Sequence, residues 1–183
     1  MREKIISAAL KEMEVHSLKF TMEDLTKRLH IGRNSLYKIF PSKDSLIKSI
    51  VEYEISEFEK KQTEILSGAE SVDIKAKKII RLYINTFGVT VNHTGGDLQN
   101  MYPEVWNEWQ KFHQGMIHKL MELIKIGVSE GIYRDLNFEI VEECLIMILS
   151  SVGSSVFLNQ TKFSYIDVIE TLEDLILYGL KRN

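Results

Sequence analysis

A short segment near the amino end carries polar side chains that suit recognition of nucleic acid. Leu36, Ile39 and Phe40 have helical spacing and predict an inward face. The remaining positions of this segment are polar: Arg33, Asn34, Ser35, Tyr37 and Lys38. Arginine can read guanine, asparagine can read adenine, and serine can bind a base or a phosphate. Tyrosine and lysine suit phosphate oxygens, so the set predicts a DNA-reading surface.

Two further side chains are candidate phosphate ligands. Thr21 stands at a predicted helix start, where its hydroxyl and backbone N–H can face an anion, and Lys43 offers an ammonium group. Residues 1–50 hold ten Lys/Arg against six Asp/Glu, a net charge of +4, whereas residues 51–183 have a net charge of −7. A basic head on an acidic body predicts that the head meets a polyanion.

The elements that must position these side chains follow a helix-turn-helix plan. Thr21, with Asp24 three residues on, predicts the N-cap of a short helix that ends near His30. The next helix begins at Arg33, and Pro41 ends it because proline lacks the backbone N–H. Two short helices joined by a tight turn, with a third helix before them, place the last one in a major groove.

Amphipathic periodicity predicts longer helices on both sides of this pair. The helix over residues 2–16 places these apolar side chains on one face: Ile5, Ile6, Ala9, Leu10 and Met13. Ser42 is the predicted N-cap of a helix that continues to about Leu66. The DNA-reading segment is therefore held between two longer helices.

Two stretches of this region resemble the DNA-binding signature of TetR-family transcriptional regulators. They are Thr-Met-Glu-Asp-Leu-Thr-Lys-Arg-Leu (21–29) and Ser-Leu-Tyr-Lys-Ile-Phe-Pro-Ser-Lys-Asp-Ser-Leu (35–46). The resemblance implies an all-α fold with a three-helix DNA-binding domain over 1–47 and a helical ligand-binding and dimerisation domain over 48–183. With the helical periodicity of the remainder, the chain should contain about nine helices.

Three positions depart from the pattern of that family. His30 stands where glycine is usual in the turn, Gly32 replaces a serine cap, and Asn34 replaces a glycine early in the reading helix. Histidine tolerates a left-handed backbone better than most residues, and glycine is an acceptable N-cap. The turn is therefore expected to form, with Asn34 adding a side chain at the groove.

The body should contain four long helices. Periodicity predicts them over about 73–91, 103–129, 138–157 and 164–181, with a loop at 92–97 around a Gly-Gly pair. The third is apolar on several sides and is predicted to be central and buried.

The composition of the last two predicted helices, 138–157 and 164–181, indicates how they pack. Cys144 is expected to be a buried thiol, and Gly153, Ser154 and Ser155 would permit close helix approach. The apolar surface of the last two helices exceeds what one layer of packing needs. A homodimer joined by a four-helix interface, which the resemblance also implies, would cover it.

The resemblance further implies a pocket in the body for a small, largely apolar ligand. Candidate lining residues are aromatic, sulfur-containing or imidazole side chains: Tyr83, Phe87, Met101, Tyr102, Trp106, Trp109, Phe112, His113, Met116, Cys144 and Met147. The same side chains at helical spacing also suit a hydrophobic core, and both interpretations stay open.

Other classes of protein find little support in the sequence. The five histidines form no His-Glu-x-x-His pattern, and a single cysteine excludes an intrachain disulfide, so no metal or cofactor is predicted and an enzyme is disfavoured. Apolar runs are too short for a membrane span, which predicts a cytoplasmic protein without a membrane partner.

The leading hypothesis is a homodimeric transcriptional regulator that binds a palindromic double-stranded DNA operator. In that hypothesis it is a repressor, and a ligand releases it by shifting the helix over 43–66. The alternative is a DNA-anchored protein-interaction module that senses no small molecule.

Overall fold

The computed structural model describes residues 1–152 and 162–181, and helices dominate both ranges. A short 3₁₀-helix (Ser17–Lys19) follows the first α-helix. The α-helices are α1 (Arg2–His16), α2 (Met22–Leu29), α3 (Arg33–Ile39), α4 (Lys43–Ser67), α5 (Val72–Met101), α6 (Pro103–Ser129), α7 (Phe138–Val152) and α8 (Tyr165–Leu180). The predicted all-α class with an N-terminal helix-turn-helix is confirmed.

Helices α1 to α3 form a small unit, called the head below. Its centre includes Ile5, Leu36 and Phe40, which the sequence predicts to face inward and which are buried, and the buried Leu25 of α2 packs with them. Burying a Leu or Phe side chain contributes roughly 1.5–3 kcal/mol, so these few residues account for much of the stability of so small a unit.

The helix starts that position the head also follow the prediction. Thr21 Oγ1 accepts from the backbone N–H of Asp24 at 3.2 Å, and the Asp24 carboxylate accepts from the backbone N–H of Thr21 at 2.8 Å. Ser42 and Ser45 form the same reciprocal capping box at the start of α4. Each box satisfies backbone donors that a helix leaves unpaired, which fixes where α2 and α4 begin.

The predicted loop at 92–97 is wrong, because α5 continues without interruption from Val72 to Met101. Thr90, Thr94 and Leu98 are buried along this half of the helix. The Ser17 hydroxyl also donates to the Asp97 carboxylate at 2.8 Å. Packing against the head thus outweighs the cost of about 1 kcal/mol that each glycine imposes on a helix.

The prediction of a central, buried α7 is also wrong for the single chain. Leu145 is buried, but Ile140 and Met147 are largely exposed, and Cys144 is an exposed rather than a buried thiol. Helix α7 has apolar side chains on two faces. It packs mainly against α6 with one of these faces, and the other is exposed to solvent. The predicted continuation to Phe157, with Gly153, Ser154 and Ser155, falls outside the described residues.

Helices α5 to α8 form the body, and α4 joins it to the head. A close approach near the end of α6 depends on glycine: a Cβ built on Gly127 would lie 2.4 Å from Cδ2 of the buried Tyr133. None of the helices in the described ranges combines the length and the apolar character that a membrane span requires.

Candidate nucleic-acid interface and body cavity

Helix α3 presents the predicted reading face to solvent. Leu36 is fully buried, whereas the five polar side chains of α3 that the sequence singled out are all exposed: Arg33, Asn34, Ser35, Tyr37 and Lys38. Because successive positions of a helix point in different directions, burial of Leu36 anchors one side of α3 and leaves the rest of its surface available. A short, polar, exposed helix of this kind fits a major groove about 12 Å wide.

The turn before α3 accommodates the unusual residues. His30 adopts the left-handed conformation with φ 53° and ψ 44°, and its backbone N–H bonds to Lys27 and Thr26 carbonyls. Gly32 has φ −70° and ψ 149°, an extended conformation open to any residue, and its carbonyl accepts from the N–H of Ser35 at 3.0 Å. The reading helix therefore begins at Arg33, as the sequence predicts.

Arg33 has a partner that the sequence reasoning missed. Its guanidinium lies 2.9 Å from the carboxylate of Glu23, which also pairs with Lys27 at 3.3 Å. These two cations, Lys27 first, lower the pKa of Glu23. Both side chains are exposed and water screens the pair, so DNA can displace Glu23 from Arg33 at small cost.

The two predicted phosphate ligands outside α3 are already engaged. The Lys43 ammonium donates to the carbonyls of Leu18 and Phe20 and lies 4.6 Å from the centre of the Phe20 ring. Burial lowers its pKa. The Thr21 hydroxyl and backbone N–H both donate to the Asp24 carboxylate. In this conformation, both residues stabilise the corner of the head rather than offering free donors.

The geometry of the head defines a class: a helix-turn-helix protein that reads double-stranded DNA. Residues 5–50 match the profile described as bacterial regulatory proteins, tetR family. The chain is a DNA-binding transcriptional regulator, and its head matches the TetR family.

Whole-length comparisons agree with this assignment. The chain is 21% identical over 182 residues to the uncharacterized HTH-type transcriptional regulator YvaF of Bacillus subtilis (strain 168), covering 98% of this chain and 95% of YvaF. A transcriptional regulator from Cytophaga hutchinsonii superposes with a TM-score of 0.72 at 20% identity, covering 98% of both chains. A regulator from Saccharomonospora viridis in complex with choline gives 0.73 at 14% identity, covering 100% of this chain and 98% of that one. These structural likenesses establish the fold.

Several predicted ligand contacts come together in an aromatic cluster inside the body. It consists of Phe58, Tyr83, Phe87, Trp109, Phe112 and His113, with Phe87 and Trp109 only 4.6 Å apart between ring centres. The Tyr83 hydroxyl lies 3.1 Å from His113 Nε2, and the two rings stack. Burial lowers the pKa of His113 to about 4, so the imidazole is neutral at pH 7.

Other candidate ligand contacts lie elsewhere. Trp106 is buried, and Tyr102 is half-buried at the corner between α5 and α6. Met101, Cys144 and Met147 are exposed and do not face the interior of the chain.

A small cavity lies next to the aromatic cluster, among α5, α6, α7 and α8. It holds about 40 Å³ of free space. Tyr83 and Met116 are the predicted ligand residues that line it, and most of the remaining wall is aliphatic, including Ile80, Leu145 and Leu172. Sequence reasoning missed these aliphatic positions because a leucine at helical spacing carries no signal that separates cavity wall from core.

A buried carboxyl group lies where α4 meets α5. Glu54 Oε1 accepts from the Thr90 hydroxyl at 2.7 Å, and Glu54 Oε2 has no hydrogen-bond partner among the described residues. Burial raises the pKa of Glu54 to about 8. Its spacing of four residues from both Ile50 and Phe58 could have shown that Glu54 occupies a core position.

Proposed function

We propose that the protein is a homodimeric repressor that binds a palindromic operator and leaves it when a small ligand enters the body. The observation that carries this proposal is a continuous α4, which begins at the corner of the head and carries Phe58 of the aromatic cluster. A change inside the body can therefore move the reading helix. A protein with this role works beside the chromosome, which would place it in the cytoplasm.

In the proposed complex, α3 lies in the major groove. Arg33, Asn34 and Ser35 reach base edges, and Tyr37 and Lys38 bind phosphates, because the first turn of a reading helix points at the bases. Thr21 and Lys43 reach phosphates only if they give up part of their bonding within the head. Their contribution to affinity is therefore smaller than that of the α3 residues.

Dimerisation is supported by the outer apolar faces of α7 and α8. Ile140 and Met147 on α7, and Leu175 and Tyr178 on α8, are all more than half exposed in the single chain. Monomeric proteins rarely leave such a patch uncovered, and a two-fold axis would pair it with itself. The resulting four-helix contact would hold two heads one helical turn of DNA apart, about 34–36 Å.

Ligand sensing is supported by the cavity and by the contacts around it. Its wall is apolar, and the structurally similar regulator from Saccharomonospora viridis is in complex with choline. A ligand that favours the DNA-free conformation by 1–3 kcal/mol would weaken operator binding about 5–150-fold.

The small size of the cavity favours a second candidate. Ligand pockets usually measure roughly 300–1,000 Å³, far more than the free space seen here. A body that stays closed would suit a DNA-anchored module that binds another protein.

The primary test is selection of a binding duplex from random DNA with the purified full chain, followed by affinity measurements. The Arg33→Ala variant should lose about 1–3 kcal/mol of binding free energy and tolerate other bases at one position of the duplex. The Lys38→Ala variant should bind all sequences more weakly to the same extent. It should also lower by about one the salt slope, which is the slope of log affinity against log salt concentration. Lys61→Ala, an exposed charge change on α4, is the matched control. Unchanged affinity and salt slope in both α3 variants would reject the interface. Half-sites without two-fold symmetry would reject the dimer.

A further inference from the structure

An outer groove of opposite character lies beside the body cavity and shares one lining residue with it. Inside, side chains such as Ile80, Ile117, Leu149 and Ile169 make an almost wholly apolar wall. Outside, between α5 and α8, the groove is lined by Arg81, Asn85 and three carboxylates. One side chain, Glu173, lines both spaces, so an opening between them would lie at Glu173.

The charges at this opening are unequal. Arg81 Nε lies 3.6 Å from Glu173 Oε1, but the Arg81 side chain is 73% exposed and that of Glu173 only 13% exposed. Glu170 and Asp174 add two more carboxylates to the groove, against the one guanidinium. Arg81 can turn into water at little cost, whereas Glu173 cannot and needs a cation nearby.

We propose that this site takes an amphipathic cation, with an alkyl chain in the cavity and an amine or quaternary ammonium group at Glu173. The inference rests on the ligand-responsive function proposed above and names the class of ligand. A ligand carboxylate would be repelled by three acidic side chains, and by pairing with Arg81 it would leave Glu173 without its cation. A cationic head group replaces Arg81 and restores the charge balance of the opening.

Helix α7 supplies the room that an alkyl chain needs. Leu145 is the α7 side chain that is buried in the described part of the helix, so α7 is attached to α6 through a thin layer of contacts. Outward movement of Leu145 and Leu149 would widen the cavity, whose wall also includes Tyr83 of the aromatic cluster. The flexible Met116 in the wall can adapt its shape to a chain.

The test compares three probes with one alkyl chain: decyltrimethylammonium, decanoate and decanol, each below its aggregation concentration. Calorimetric titration of the full-length protein should show the cation binding at least about tenfold more tightly than either of the others. A higher salt concentration should weaken binding of the cation, because the site at Glu173 is partly exposed and salt screens its charge. Binding of the uncharged decanol should not change. Equal affinities for the three probes, tighter binding of decanoate, or no binding of the cation would overturn the proposal.

Three variants locate the binding. Glu173→Gln should weaken the cation about tenfold and change decanol less than about twofold. Glu170→Gln, which removes a charge from the exposed part of the groove, should have a clearly smaller effect on the cation. Leu172→Trp, at a half-buried wall position, should block all three probes. Thermal unfolding checks that each variant folds, and a cation preference that survives Glu173→Gln would refute the assigned contact.

The same probes separate this inference from the proposed function. If the cation binds through Glu173 but leaves operator affinity unchanged, the proposed cation site is supported and the proposed ligand-controlled release is rejected. If decanoate or decanol releases the protein from the operator and the cation does not, ligand-controlled release is supported and the proposed cationic class of ligand is rejected.

Discussion

Replacing the buried acid by its neutral isostere should change how stability depends on pH. The folded protein holds the proton of Glu54 up to a pKa of about 8, whereas the reference value is 4.5. The stability linked to this group is therefore complete below pH 4.5 and decreases as pH rises towards 8. At 1.36 kcal/mol per pKa unit, the loss at pH 7 is roughly 3 kcal/mol. Glu54→Gln has no proton to lose and removes this dependence.

The assay is urea unfolding of the native protein and of Glu54→Gln at one protein concentration, from pH 5 to pH 9. Near pH 5 the variant should be equal or less stable, because its amide adds a buried donor at a site where Oε2 has no partner. Above pH 8 it should be the more stable by a few kcal/mol. Glu59→Gln, an exposed change on the same helix, should show no such crossover. A difference between native protein and Glu54→Gln that is flat across the range would refute the reasoning.

Three further perturbations have expected outcomes. Gly127→Ala should lower the free energy of unfolding by roughly 1–3 kcal/mol, since its Cβ would overlap the Tyr133 ring; chemical denaturation measures this. Glu23→Gln frees Arg33 and removes a negative charge beside the DNA, so fluorescence anisotropy should show operator affinity rising up to about fivefold. His113 resists protonation down to about 4, so native stability should fall as pH drops from 6.5 towards 4, and unfolding of His113→Gln should show no such fall.

The head was predictable because its signals are local. A capping threonine with an aspartate three residues later, a proline after α3 and a serine before α4 each act on the backbone within a few residues. Their effect does not depend on the rest of the fold. The same holds for the left-handed His30, whose conformation is set by the turn itself.

The body was less predictable because its decisive interactions are distant in sequence. The Gly95-Gly96 pair predicts a loop from the sequence alone. The helix is stabilised there by distant contacts, such as the hydrogen bond between Asp97 and Ser17, which are eighty residues apart along the chain. The apolar residues around α7 predict a buried helix, because the sequence pattern does not distinguish a face that packs inside the chain from an apolar face that is exposed in the single chain. Glu54 was overlooked because an acid on a long helix is usually solvated.

The coupling that we propose between body and head need not pass through α4 alone. Lys48, just after the head, pairs with Glu108 on α6 at 3.1 Å, and Ser17 in the head bonds to Asp97 on α5 at 2.8 Å. A ligand that separates α5 from α6 would therefore act on the head directly at Ser17 and also near the start of α4 at Lys48. Because water weakens exposed contacts such as the Lys48–Glu108 pair, these contacts can set the direction of the movement but not supply all of the proposed coupling of about 1–3 kcal/mol. The larger part must come from repacking the aromatic cluster, where Phe58 of α4 meets Phe87 of α5 and Phe112 of α6.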